Sequence, residues 1–261
     1  MVAIELLGPS GIGKTTFLKT LQKARGNADW ITSHEALASI YPQKRRYYQV
    51  ERLVSRIARV FGFSLQKRKN DELVELIKKY EADCALMFEM FLTALNASEI
   101  EVWQKIKTLE FNIRKVLYRR ALLHNHFKDS IILLDEGIVQ NWARSVKLAL
   151  ENPRKYQELT KSVLFPKAVM YFELDDWEFR KRLSTRFNTY GKRKINLLLE
   201  DVTDEEIERY IVRTKQSSRK TLEACKCLNL PVLELQPVAN EENIDKALNF
   251  IQNVGETSGA V

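Results

Sequence analysis

The chain has 261 residues, 45% of them apolar and 10% aromatic, with only nine Gly and six Pro. Those values exclude collagen-like and disordered classes, and the length is enough for a core that needs no disulfide or structural metal. Lys and Arg outnumber Asp and Glu by 42 to 34. The whole surplus of eight lies between Lys44 and Lys69, where nine basic residues face one acid, Glu51.

Val2 to Leu7 reads as a buried strand interrupted only by Glu5, followed by a Gly-rich turn and a helix through Arg25. Asp29 to Ser33 is a second, weaker strand. From Ala36 to Lys128 the periodicity is helical. One apolar stripe runs through Leu73, Ile77, Tyr80, Cys84, Met87, Phe91 and Leu95. A second runs through Trp103, Ile106, Leu109, Ile113, Val116, Arg120 and Leu123, with the arginine its one polar member. Strands and helices then alternate. Strands are expected over Ile131–Leu134, Ala168–Leu174 and Val232–Leu235, and helices over Ile138–Leu150, Trp177–Phe187, Thr203–Leu228 and Glu241–Val254. The Thr203–Glu206 pair forms a capping box at the start of the long helix.

Alternating strands and helices predict an α/β three-layer sandwich around a parallel five-stranded sheet, with a large all-helical insertion between strands two and three. On this reading residues 1–35 and 129–254 form the core, 36–128 the insertion and acceptor-binding region, and 255–261 a flexible tail. No stretch approaches 18 uninterrupted apolar residues, and no charged leader with an apolar run opens the chain, which predicts a cytoplasmic protein. Cys84, Cys225 and Cys227 are read as reduced packing residues. His34, His124 and His126 have no ligand-like spacing.

Gly8-Pro9-Ser10-Gly11-Ile12-Gly13-Lys14-Thr15, with Thr16 behind it, satisfies G-x-x-x-x-G-K-[ST], a P-loop (Walker A), directly after a strand and at the start of a helix. Glycines let the backbone aim successive N–H groups at phosphate oxygens, Lys14 can reach the β- and γ-phosphates, and the Thr15 hydroxyl can ligate Mg²⁺. The helix N-terminus adds its positive end. An apolar strand ending in Asp135, next to Glu136, suits the second ligand of a metal-bound triphosphate. Glu35, after strand two, can serve as a general base or cap the next helix. Arg182 and Arg186 lie four apart, so both emerge on one helical face, either solvated or able to stabilise a moving phosphoryl group.

Together these residues resemble the P-loop nucleoside and nucleotide kinases, the group of thymidylate, adenylate and deoxynucleoside kinases. The resemblance rests on Gly8–Thr15, Leu134-Asp135-Glu136-Gly137, Arg182 with Arg186, and the loop from Leu235 to Asn240. It implies ATP and Mg²⁺ as cofactors and a lid that opens at Arg182 and Arg186 and carries Lys192 and Arg193. It further implies contact of the 235–240 loop, through Pro237 and Ala239, with adenine, and Glu35 as the base. The family's Asp-Arg pair after strand three is Asp135-Glu136 here, and 36–128 is longer and more basic than the family's acceptor-binding helices.

Within the basic block, Arg45, Arg52, Arg56 and Arg59 fall on one side of a helix and Leu53, Val54, Ile57, Val60 and Phe61 on another. Three readings fit: a solvated face, a site for an anionic acceptor or nucleic-acid end held by Arg45, Arg52 and Arg56, and contact with an anionic membrane. The sequence as a whole predicts a phosphotransferase using Lys14, Asp135, Glu35, Arg182 and Arg186 on a small anionic acceptor such as a nucleotide, nucleoside or phosphorylated metabolite. The rival is a nucleotide-driven switch or ATPase coupled to a protein, nucleic-acid or membrane partner.

Overall fold

A computed structural model describes residues 1–26, 28–40, 65–141, 146–147, 151, 156–190 and 203–259. Five parallel strands form one sheet in the order β2-β3-β1-β4-β5, with β1 Val2–Leu7, β2 Trp30–Thr32, β3 Ile131–Leu134, β4 Ala168–Phe172 and β5 Val232–Leu235. Every residue of β1, β3 and β4 is buried, which is why these strands read as apolar runs, broken only by Glu5, rather than alternating ones.

Side-chain alternation sorts the helices. Val2, Ile4 and Leu6 of β1 face a core built with α1 (Lys14–Ala24), α8 (Asp176–Tyr190) and α10 (Glu241–Thr257). Leu7, Val169 and Tyr171 face the other way. They meet α4 (Glu81–Asn96), α6 (Tyr118–His126), α7 (Ile138–Asn141) and the second half of α9 (Asp204–Cys227). Helices therefore cover both faces of the sheet. Between β2 and β3 the described residues are helical: α2 (Ser33–Ile40), α3 (Leu65–Lys79), α4, α5 (Val102–Phe111), a π-helical turn (Asn112–Leu117) and α6. Among the described residues no helix is long and apolar enough to cross a membrane.

The first helical stripe is buried from Tyr80 to Leu95. The second is not continuous. Trp103 and Ile106 are 54% and 60% exposed, whereas Val116, Arg120 and Leu123 are buried. Helix α5 buries none of its residues, whereas the π-helical turn and α6 after it contribute side chains to the core. Two boundaries also differ from expectation. Helix α10 continues to Thr257 with Gly255 buried, so the first residues expected in the tail are helical. At the other end, α8 spans 15 residues rather than stopping at Phe187. The expected capping box is present: Thr203 Oγ1 accepts from the Glu206 N–H and Glu206 Oε2 from the Thr203 N–H.

Cys84 and Cys225 are buried free thiols and Cys227 is exposed, so the last two do point apart. Burial raises the Cys84 thiol to about 11, which keeps it protonated and inert.

Candidate functional site

Helix α1 follows β1 on one face of the sheet, while α7 follows the adjacent strand β3 on the other. The chain thus leaves neighbouring strands in opposite directions, which opens a crevice beyond their carboxyl ends. The Gly8–Thr15 loop forms one wall and the Asp135–Gly137 turn the other.

Close packing shapes the loop. A Cβ on Gly8, at φ +145°, would stand 2.6 Å from the carbonyl oxygen of Phe172, and one on Gly13, at φ +114°, 2.5 Å from Arg182 Nη1. Only glycine permits both the backbone angles and the approach of β4 and α8. Ile12 is buried in the core beneath the loop, Gly11 is half-buried, and Ser10, Thr15 and Thr16 are exposed. Lys14 is 9% exposed, and its ammonium donates to the carbonyl oxygens of Gly8 at 2.7 Å and Pro9 at 3.3 Å. Across the crevice the Thr15 hydroxyl donates to Asp135 Oδ2 at 2.7 Å, joining residues 120 positions apart.

Arg182 completes this wall. Its Nη1 donates to Ile12 O at 2.6 Å and Pro237 O at 3.3 Å, and its Nε to Glu178 Oε1 at 3.1 Å. The loop after β5 is pinned by Asn243, whose amide donates to the carbonyls of Gln236 and Val238. Pro237 is therefore brought to the glycine loop, whereas Ala239 is exposed. Arg186 lies on α8, but its side chain, the whole of Lys192 and Arg193, and Arg45, Arg52, Arg56 and Arg59 lie outside the described residues.

Glu35 is occupied by the local fold. Its Oε2 accepts from the Thr32 N–H at 2.8 Å and the Thr32 hydroxyl at 3.0 Å, and the Glu35 N–H donates back to Thr32 Oγ1 at 3.3 Å. That is a capping box opening α2, and Arg25 Nη1 adds an ion pair at 3.2 Å. Burial pushes the Glu35 carboxyl up, but its hydrogen bonds from Thr32 and Gln22 and the Arg25 charge outweigh it and hold the pKa below the ordinary value. Of the two sequence readings, capping is the one whose geometry is present.

Two residues absent from the sequence prediction stand beside the crevice. Arg119, at the start of α6, donates from Nη2 to Ser33 Oγ at 3.0 Å. Burial disfavours its charged form, and the nearby Glu136 and Asp135 charges oppose that effect. Its buried Nε has no hydrogen-bond partner among the described residues. Glu5, fully buried on β1, accepts the Gln140 N–H at 2.5 Å, and Gln140 Oε1 in turn accepts the Gly8 N–H at 3.3 Å. Burial raises the Glu5 carboxyl to about 7, against hydrogen bonds from Gln140, Val139 and Ile138 and the Arg120 charge. The one acid inside an apolar strand was the signal in the sequence.

Among the described residues no group of three His, Cys, Asp or Glu side chains gathers as a metal cage. The Thr15 hydroxyl and the Asp135 carboxylate are a different donor set, one that could hold Mg²⁺ if phosphate oxygens and water completed its ligands. A separate cavity of about 630 Å³ lies at the β4–β5 end of the sheet, bordered by Tyr171, Glu173, Lys215, Arg219 and Lys246. Its cations are paired with acids already, Arg219 with Glu173 and Lys246 with Glu242.

These features define an α/β protein with a glycine loop at the crevice of a parallel sheet. No protein-family description matches the chain, and no curated protein matches it.

Proposed function

We propose that the chain is a P-loop phosphotransferase that uses Mg²⁺ and ATP to phosphorylate a small anionic acceptor. The observation that carries the reading is the Thr15–Asp135 hydrogen bond, which sets a hydroxyl and a carboxylate side by side at the mouth of the Gly8–Thr15 loop. In a Walker-type site that pair holds the metal of a nucleoside triphosphate. Close packing at Gly8 and Gly13, the α1 N-terminus and Lys14 suit the same anion.

On this reading the loop amides cradle the β- and γ-phosphates, and the Lys14 ammonium exchanges its two carbonyl acceptors for phosphate oxygens. Thr15 and Asp135 would hold Mg²⁺, directly or through water, and the ion would supply charge neutralisation for the phosphates. Arg182 keeps the loop and the 236–240 segment together, and its guanidinium lies at the crevice wall where charge spreads during transfer. Arg186, Lys192 and Arg193 belong to the same proposed lid, and residues 36–128 to acceptor binding.

The test is ADP release from MgATP with nucleosides, nucleoside monophosphates and sugar phosphates, in the wild type and in Lys14→Ala. Acceptor-dependent ADP release that vanishes in a folded Lys14→Ala protein supports the kinase. Turnover that ignores every acceptor and rises with a protein or nucleic-acid partner assigns the chain instead to the nucleotide-driven switches.

A further inference from the structure

We propose that the Gln140 side chain reads the terminal phosphate of the bound nucleotide, so that the site selects a nucleoside triphosphate over a diphosphate. The inference rests on the phosphotransferase reading above and assigns a specificity residue to its donor site.

The backbone fixes where Gln140 stands. Helix α7 begins three residues after Asp135 and packs against β1. Its residues therefore lie between the Asp135–Gly137 turn and the strand that leads into the glycine loop. The Gln140 N–H donates to Glu5 Oε1 at 2.5 Å, which ties this point of α7 to β1. The half-buried side chain then spans the gap to the loop, where its Oε1 accepts the Gly8 N–H at 3.3 Å.

That contact also orients the amide. A primary amide carries an acceptor oxygen on one arm and two N–H donors on the other. With the oxygen turned to the Gly8 N–H, Nε2 faces away from it, and its two hydrogens have no acceptor among the described residues. The carbonyl of the same Gly8 receives the Lys14 ammonium at 2.7 Å. Lysine and glutamine thus converge on the first residue of the loop. In a P-loop the helix N-terminus and the loop amides take the inner phosphates, and the lysine reaches the outer ones. On that reading the outermost phosphate falls on the Gly8 side, within the wall formed by Lys14, Gln140 and the Thr15–Asp135 pair.

The chemistry suits discrimination. Nε2 offers directed hydrogen bonds but no charge, so it contributes only where an oxygen is placed to accept them. ATP has terminal oxygens there and ADP has none. Lys14 cannot draw that distinction, because its charge attracts the β-phosphate of either nucleotide. Once the terminal phosphate has moved to the acceptor, the Gln140 contact is lost, which favours release of ADP.

The experiment titrates the full chain, in the presence of Mg²⁺, with a non-hydrolysable ATP analogue and separately with ADP, and reads the ratio of the two affinities. Wild type should favour the analogue. Gln140→Met loses the donor without adding charge, and its preference should fall roughly 10-fold, the scale of a hydrogen bond to a charged group. Gln140→Glu keeps an oxygen for the Gly8 N–H but sets a carboxylate where the donor stood, so its preference should fall further while ADP affinity changes little. Thermal unfolding shows whether each variant is folded, and Gln140→Ala replaces Gln140→Met if that protein is not. An unchanged ratio in the folded neutral variant, including an equal loss of both affinities, would overturn the proposal, as would a wild type with no preference for the analogue. A wild type that binds neither nucleotide would instead remove the phosphotransferase reading, and this inference with it.

Discussion

The Glu5 carboxylate occupies the space that a side chain on Gly137 would need, because a Cβ built on Gly137 collides with Glu5 Oε2. A residue in the middle of β1 thereby fixes how closely the turn after Asp135 lies on the sheet. Through the Gln140 N–H and the Gln140 side chain, the same contact reaches Gly8, the first residue of the glycine loop.

Gly137→Ala should therefore destabilise the protein by about 2 kcal/mol, the usual scale for forcing an extra methyl into a packed interior. The cost should fall in a Glu5→Ala background, where the colliding carboxylate is gone. A double-mutant cycle on urea unfolding reads the coupling, and two additive single effects would show that the residues do not meet.

Glu5 also predicts a pH dependence of stability. Its carboxyl is raised from the ordinary 4.5 to about 7 by burial on β1, with Arg120 on α6 the opposing charge and Cys225 on α9 another titratable neighbour. Between those values the native protein retains a proton that the unfolded chain releases. Stability from this group is thus full below the unfolded value, falls as pH rises through the window, and is level above about 7. Glu5→Gln should remove that slope and stabilise the protein at pH 8 by about 1–3 kcal/mol, the lower end reflecting the lost partner charge for Arg120. Urea midpoints at pH 5 and pH 8 check it. An unchanged slope would mean that Glu5 is not the titrating group.

Thr15 and Asp135 should act as one unit. Thr15→Val and Asp135→Asn each should lower kcat on the order of 100-fold. The double variant should be little worse than the poorer single, because on the proposed reading the two would hold one metal. Both should also raise the Mg²⁺ concentration needed for half-maximal turnover, and a Mg²⁺ titration of ADP release measures this.

At the far end of the sheet, Thr203→Ala should cost about 1 kcal/mol by leaving the Glu206 N–H without its cap. Glu206→Ala should still cost stability in the Thr203→Ala background, because the Glu206 carboxylate accepts from the backbone N–H of residue 203, which alanine keeps. Both are read from denaturant midpoints.

The strands, the capping box at Thr203 and the glycine loop were legible in the chain because each depends on residues a few positions apart. A buried parallel strand is an apolar run wherever its neighbours come from, and Thr203 finds Glu206 within a single turn. Apart from Thr15 with Asp135, which the motif pattern suggested, pairings across the fold were not legible. Nothing near Arg119 in sequence announces Ser33, and nothing near Glu5 announces Gly137. Glu35 permitted two readings until Arg25 and Thr32 were seen to hold it. The second helical stripe failed at its start because apolar spacing marks a helix without marking what covers it, and α5 buries none of its residues.

By itself, then, the sequence determined the alternation of strands and helices, the glycine loop after β1 and the confinement of the +8 charge to one block. Tertiary structure alone decided which acid is committed to a cap and which unforeseen arginine stands at the crevice. The physical reason is range. Periodicity, capping and turn geometry act within a few residues, whereas the charge and hydrogen-bond partners of a site are chosen by how distant segments cross.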